Sequence, residues 1–144
     1  MSSESTDTDI LAHVVVPVAT EDDALATAKA LEPYAPSRVT ALHVVEKGGG
    51  VPDKSSVEQS EELAAESYAA VRSVFPDADD HTAYGRDVAD EIFAAAEEIG
   101  ASAIAYRSRG GNRLLQFLSG DLSLRLVTEA DRPVIALPRD GGGE

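Results

Sequence analysis

The 144-residue chain carries 26 acidic residues against 12 basic ones, a formal charge of −14, three histidines and no cysteine. A domain of this length buries roughly 68–70% of its unfolded surface, so its core needs no staples, and the lack of cysteine excludes disulfides. No apolar run approaches the roughly 20 residues of a membrane span, "MSSESTDTD" is acidic where a secretory signal is basic, and excess carboxylate opposes phosphate backbones. The expectation is a soluble, cytoplasmic protein that engages neither membrane nor nucleic acid.

Residues 1–9 have no apolar side chain after Met1, and 140–144, "DGGGE", are equally unable to pack; both read as disordered tails around one domain at 10–139. Within that domain, short β-rich apolar runs alternate with longer segments of helical period, the pattern of βαβ units and a parallel sheet. The runs fall at 10–18, 38–46, 81–85, 101–106 and 132–138. The first, "ILAHVVVPV", is apolar almost without alternation, as a central strand buried on both faces must be.

Helix starts are marked by side chains able to accept the unpaired first-turn N–H groups. Thr20 precedes Glu21, Asp22 and Asp23; Ser55 stands three residues before Glu58 in capping-box spacing; Asp87 precedes "VADEIFAAAEEIG", which Gly100 closes. The second helix presents Val57, Leu63, Ala64, Val71, Val74 and Phe75 as an apolar face and stops at Pro76. A fourth helical stretch over roughly 113–130 is interrupted by Gly120, and residues 47–55 form a Gly-rich loop.

In an open parallel sheet, ligands bind beyond the carboxyl ends of the strands where the strand order reverses. With the first strand central, one wall of that crevice is Val18-Ala19-Thr20 and the other is the loop Tyr106-Arg107-Ser108-Arg109-Gly110-Gly111-Asn112-Arg113. Arg107, Arg109 and Arg113, with N–H groups left accessible by Gly110 and Gly111, have the composition of an oxyanion or phosphate cradle. The alternative is a loop that only turns the chain, its arginines paired with surface carboxylates.

The order of elements and these motifs resemble the universal stress protein family over almost the whole chain: "HVVVPVATEDDALATAKAL" at 13–31, "ALHVVE" at 41–46, "GRDVADEIFAAAEEIGASAIAYRSRG" at 85–110 and "RPVIALP" at 132–138. The resemblance implies an α/β fold: an open five-stranded parallel sheet of order 3-2-1-4-5, helices on both faces, Rossmann-like. It also implies a homodimer joined through the last strand, with Val134, Ile135, Ala136 and Leu137 at the interface.

ATP-binding members carry an aspartate after the first strand's "VPV", and a loop of Gly, two residues, Gly, nine residues, Gly, then Ser or Thr. This chain keeps Gly110 and Gly120 at that spacing but has Ala19 for the aspartate, Arg107 for the first glycine and Asp121 for the Ser/Thr. Ala19 offers no oxygen to a ribose or a metal-bound water, and Arg107 has a Cβ where glycine would let backbone approach the ligand. A carboxylate at 121 opposes phosphate by about 1 kcal/mol per charge pair in water and about 4 at an effective dielectric of 20. Alternatively, it complements its own helix dipole by about 0.3–1 kcal/mol. ATP is therefore disfavoured by Ala19 and Asp121, and no cofactor is assigned.

Other constellations carry less chemistry. His13, His43 and His81 sit in or near strands without metal-ligand spacing, and Gly-x-Ser-x-Gly and the phosphate-loop signature are absent. The pairs Asp22/Asp23, Glu61/Glu62, Asp79/Asp80 and Glu97/Glu98 read as solvated faces. Only Lys29, Lys47 and Lys54 are lysines, and alanine is abundant, a composition suited to the salt-rich cytosol of a halophile, haloarchaea included. Two functions follow: a non-enzymatic stress-response homodimer with an eroded nucleotide site, acting through an unidentified protein partner, or a nucleotide- or anion-binding switch built on residues 107–121. No general base, nucleophile and oxyanion donor occur together, so no enzyme is expected.

Overall fold

The computed structural model describes residues 9–46, 54–107 and 120–138. Five strands, β1 (Val14–Pro17), β2 (Val39–Glu46), β3 (Asp79–Gly85), β4 (Ala103–Arg107) and β5 (Val134–Leu137), form one sheet of order β3-β2-β1-β4-β5. Every pairing is parallel, with Val14 opposite Val39 on one side and Ala103 on the other. The helices are α1 (Glu21–Leu31), α2 (Lys54–Val74), α3 (Val88–Ile99) and α4 (Gly120–Glu129), with a 3₁₀ turn at Glu32–Tyr34.

Strand alternation divides the core in two. Val14, Val16, Val18, Ala41, Ala105 and Leu137 pack with Ala24 and Leu31 of α1 and Ala64, Tyr68 and Val71 of α2. Val15, Leu42, Val44, Ile104 and Tyr106 face the opposite way, onto Ala89, Ile92 and Ala96 of α3 and Leu122 and Leu126 of α4. β1 is buried along its whole length, as its unbroken apolar run requires.

The expected helix ends at Thr20, Asp87 and Gly100 are realised. Thr20 Oγ1 accepts the Asp23 N–H at 3.3 Å, Asp87 Oδ1 accepts that of Asp90 at 3.0 Å, and Gly100 closes α3 in the left-handed region at φ 72°. Ser55 is not a cap, because α2 already begins at Lys54. Leu63 does not join the apolar face of α2; it is exposed, and Ala64, Ser67, Tyr68, Ala70 and Val71 form the buried stripe. The described part of α4 begins at Gly120; residues 113–119 of the expected helical stretch lie outside the described residues.

Strand bounds differ where charge or turns intervene. Residues 10–13 turn ahead of β1 instead of starting it, and Asp9, expected in the tail, accepts the N–H groups of Leu11 (3.0 Å) and Ala12 (3.2 Å). Residues 101 and 102 precede β4, where the Ser102 hydroxyl binds the carbonyls of Ile10 (2.8 Å) and His13 (2.9 Å). β3 starts two residues earlier than its apolar pattern, because Arg38 and Arg72 pair with the carboxylates of Asp79 and Asp80 at this sheet edge. Of the expected tail 1–9 only Asp9 is described, the tail 140–144 lies outside the described residues, and of the expected loop 47–55 residues 47–53 lie outside them while 54 and 55 are already in α2.

Candidate ligand site

β1 is the switch point of the sheet: the chain leaves it toward β2 on one side and reaches β4 on the other. The crevice beyond β1 and β4 is where such a sheet accepts ligands. Its β1 wall runs through Val18, fully buried, to Ala19 and Thr20, both half-exposed, and straight into the capped first turn of α1. The three acidic residues of that turn, Glu21, Asp22 and Asp23, complement the helix dipole.

Asp22 is exposed as expected, whereas Asp23 is not solvated: it is 1% exposed. The pattern that could have revealed this is in the sequence. Asp23, Thr27 and Leu31 recur every four residues on the buried stripe of α1, and Thr27 Oγ1 donates back to the Asp23 carbonyl at 2.8 Å. Asp23 is thus packed within the fold and is not part of a solvated face.

His43, in a strand as expected, also holds the backbone just before Ala19. It lies on the α1–α2 side of β2, Nδ1 3.1 Å from the Val18 carbonyl and Nε2 2.9 Å from Ser60 Oγ of α2. Val18 also donates its N–H to the Leu42 carbonyl at 2.8 Å, so both backbone groups of the residue before Ala19 are held by β2. Burial pushes the His43 imidazole pKa down, against a smaller opposite effect of the Val18 hydrogen bond.

The β4 wall ends at Arg107, opposite Leu137 of β5. Alternation from Ala105 places its side chain on the α1 side of the sheet. The residue is half-exposed, yet its Nε is buried and donates to no acceptor among the described residues. Buried donors are nearly always paired, so this one marks a position short of an acceptor. Arg109, Gly110 and Arg113 lie outside the described residues. Gly120 and Asp121 are the first two described residues of α4.

Of the four residues expected at a dimer interface, Val134 and Ile135 are half-buried, Ala136 is exposed and Leu137 is buried in its own core. The surface offered by β5, which is an edge of the sheet, is therefore Val134 to Ala136. Among the described residues no cluster of three His, Asp or Glu side chains has metal-binding geometry, and no helix is long and apolar enough to cross a membrane.

The fold is an open, Rossmann-like α/β domain whose strand order reverses at β1. The chain belongs to the universal stress protein family, whose model matches residues 11–138. Among solved structures, it is similar to a universal stress protein from Archaeoglobus fulgidus, at 21% identity and a TM-score of 0.69, covering 86% of this chain and 96% of that one. It is also similar to the universal stress protein from Archaeoglobus fulgidus in complex with dAMP, at 21% identity and a TM-score of 0.67 (89% and 98% covered). A family protein from Arabidopsis thaliana with AMP bound has 18% identity and a TM-score of 0.55 (91% and 94% covered). No curated protein sequence matches the chain.

Proposed function

We propose that this chain is a non-enzymatic stress-response regulator, a cytoplasmic homodimer that acts through a protein partner and whose nucleotide site is altered from the ATP-binding pattern. The observation that carries this reading is Ala19. It stands where β1 runs into α1, with Val18 fixed from β2 and Thr20 committed to the cap, and it presents only a methyl group to the crevice. A ligand ribose or metal-bound water finds no acceptor from that side chain. The dimer forms through the edge of β5, with Val134, Ile135 and Ala136 packed across a two-fold axis.

A second reading, an anion- or nucleotide-binding switch, is favoured by the buried Arg107 Nε without an acceptor. A phosphate oxygen supplies such an acceptor, and similar folds have been solved with dAMP and AMP. Calorimetric titration with Mg-ATP and with AMP in molar KCl separates the two. Absence of heat at high protein concentration supports the first reading. Saturable binding supports the switch, in which case Asp121→Ser strengthens it and Arg109→Ala weakens it. No change from either variant refutes the placement of phosphate in the 107–121 loop.

A further inference from the structure

His43 and Ser60 meet where α2 packs on β2. The ring is 4% exposed, and its two nitrogens face different partners: the Val18 carbonyl lies 3.1 Å from Nδ1 and the Ser60 hydroxyl 2.9 Å from Nε2. A carbonyl oxygen can only accept, so the proton of the neutral ring sits on Nδ1, and the Nε2 lone pair is directed at Ser60 Oγ. The hydroxyl therefore donates to a base. Burial depresses the His43 pKa, which keeps the imidazole in its neutral, proton-accepting form near pH 7.

Both partners of the ring are anchored. The Val18 N–H is bound to the Leu42 carbonyl at 2.8 Å, so the residue that orients the imidazole is itself tied to β2. Ser60 stands four and seven residues before Ala64 and Ser67, on the face of α2 that packs on the sheet. Unlike those two it is half-exposed, with the buried base behind it and solvent within reach. A nucleophile, a base within hydrogen-bond distance and a third group orienting the base are the parts of nucleophilic catalysis by serine. Here the third group is a peptide carbonyl in place of a carboxylate. It fixes the tautomer but stabilises an imidazolium less, so the pair suits acyl donors whose leaving group is already good.

We propose that Ser60 is a nucleophile activated by His43 and a site of self-acylation by activated esters. Ser60 Oγ bonds to the ester carbonyl carbon while its proton passes to His43 Nε2. The bond from that carbon to the leaving oxygen then breaks; the oxygen departs with the electron pair and takes the proton from Nε2, which returns the ring to its neutral form. The product is an ester on Ser60, one acyl group per chain, formed whether or not the crevice holds a nucleotide.

Incubation of the full chain with p-nitrophenyl acetate in molar KCl, with the acetylated residues located by peptide mass spectrometry, tests this. Ser73 is the internal reference: it is more exposed on the same helix, but its hydroxyl is donated to the Ala70 carbonyl at 2.6 Å and meets no base. Ser60 is expected to acetylate at least about 10-fold faster than Ser73, and His43→Gln to slow Ser60 by roughly 100-fold, the lower end for loss of a general base. Ser60→Ala removes the corresponding early release of nitrophenolate. Acetylation of Ser60 no faster than of Ser73 in the wild type overturns the proposal without recourse to any variant. An undiminished Ser60 rate in folded His43→Gln overturns it as well.

Discussion

Arg107→Met keeps the length of the side chain and removes its charge and donors, so it isolates what the guanidinium does at the end of β4. A buried donor without an acceptor costs about 1–3 kcal/mol. Arg107 is half-exposed and part of its head is hydrated, so the lower end applies, about 1 kcal/mol. The substitution should therefore raise the stability of the ligand-free protein by about that amount, or roughly 3–5 °C in melting temperature for a domain of this size. If an anion binds here, the same change deletes a charge-assisted hydrogen bond and weakens the complex by about 1.5–3 kcal/mol, roughly 10–100-fold. Differential scanning fluorimetry in molar KCl, with and without Mg-ATP or AMP, measures both. A melting temperature lowered by 3 °C or more in the free protein refutes the reasoning, because it means that Nε is satisfied in the folded state.

Two further perturbations test the backbone and the buried histidines. A Cβ at Gly100 meets nothing within 4 Å, so the cost of Gly100→Ala, about 1 kcal/mol, comes from its φ of 72° alone, whereas Ala35→Gly, at φ 53°, relieves the same strain and stabilises by up to about 1 kcal/mol; urea titrations of the two should shift in opposite directions. His13 and His43 are both held below the ordinary 6.5 chiefly by burial, His13 further by the nearby Arg38, partly offset by Asp79. Their unfolded forms take up protons first, so their contribution is complete above about pH 6.5 and is lost as the pH falls from there toward their folded values. Thermal melts between pH 8 and 5 should show that loss, reduced in His13→Gln, and a flat profile over the interval would contradict it.

The parts of the fold set by apolar period and by caps were legible because each rests on a local rule with one good solution. The run around Val14–Val18 admits only a strand covered on both faces, and Asp87 and Gly100 mark the ends of α3 whatever lies around them. Legibility failed where the decisive partner was distant in sequence. β3 begins at Asp79 because Arg38, 41 residues away, holds that carboxylate, and no local pattern carries this information. The site shows the same division. Ala19, Arg107 and Asp121 were found by comparing positions with a motif, a comparison of residue types.

Asp23 and His43 are set apart by burial, which composition hides. In a chain with 26 carboxylates, one more aspartate reads as surface, and a histidine in a strand reads as core. Their surroundings give them other meanings. Val18, bound by the His43 ring from one side of its peptide and by Leu42 from the other, leaves the β1 lip little freedom to adapt to a ligand. A lip fixed in this way binds only what its side chains already suit. In the switch reading, a methyl group at Ala19 and an Arg107 Nε without an acceptor among the described residues favour anionic charge on the β4 side over hydroxyl groups on the β1 side. Inorganic phosphate or pyrophosphate should then compete with any bound nucleotide more effectively than the free nucleoside does. A nucleoside that competes as well as pyrophosphate would show that recognition runs through the base and ribose instead, and that Arg107 is incidental to it.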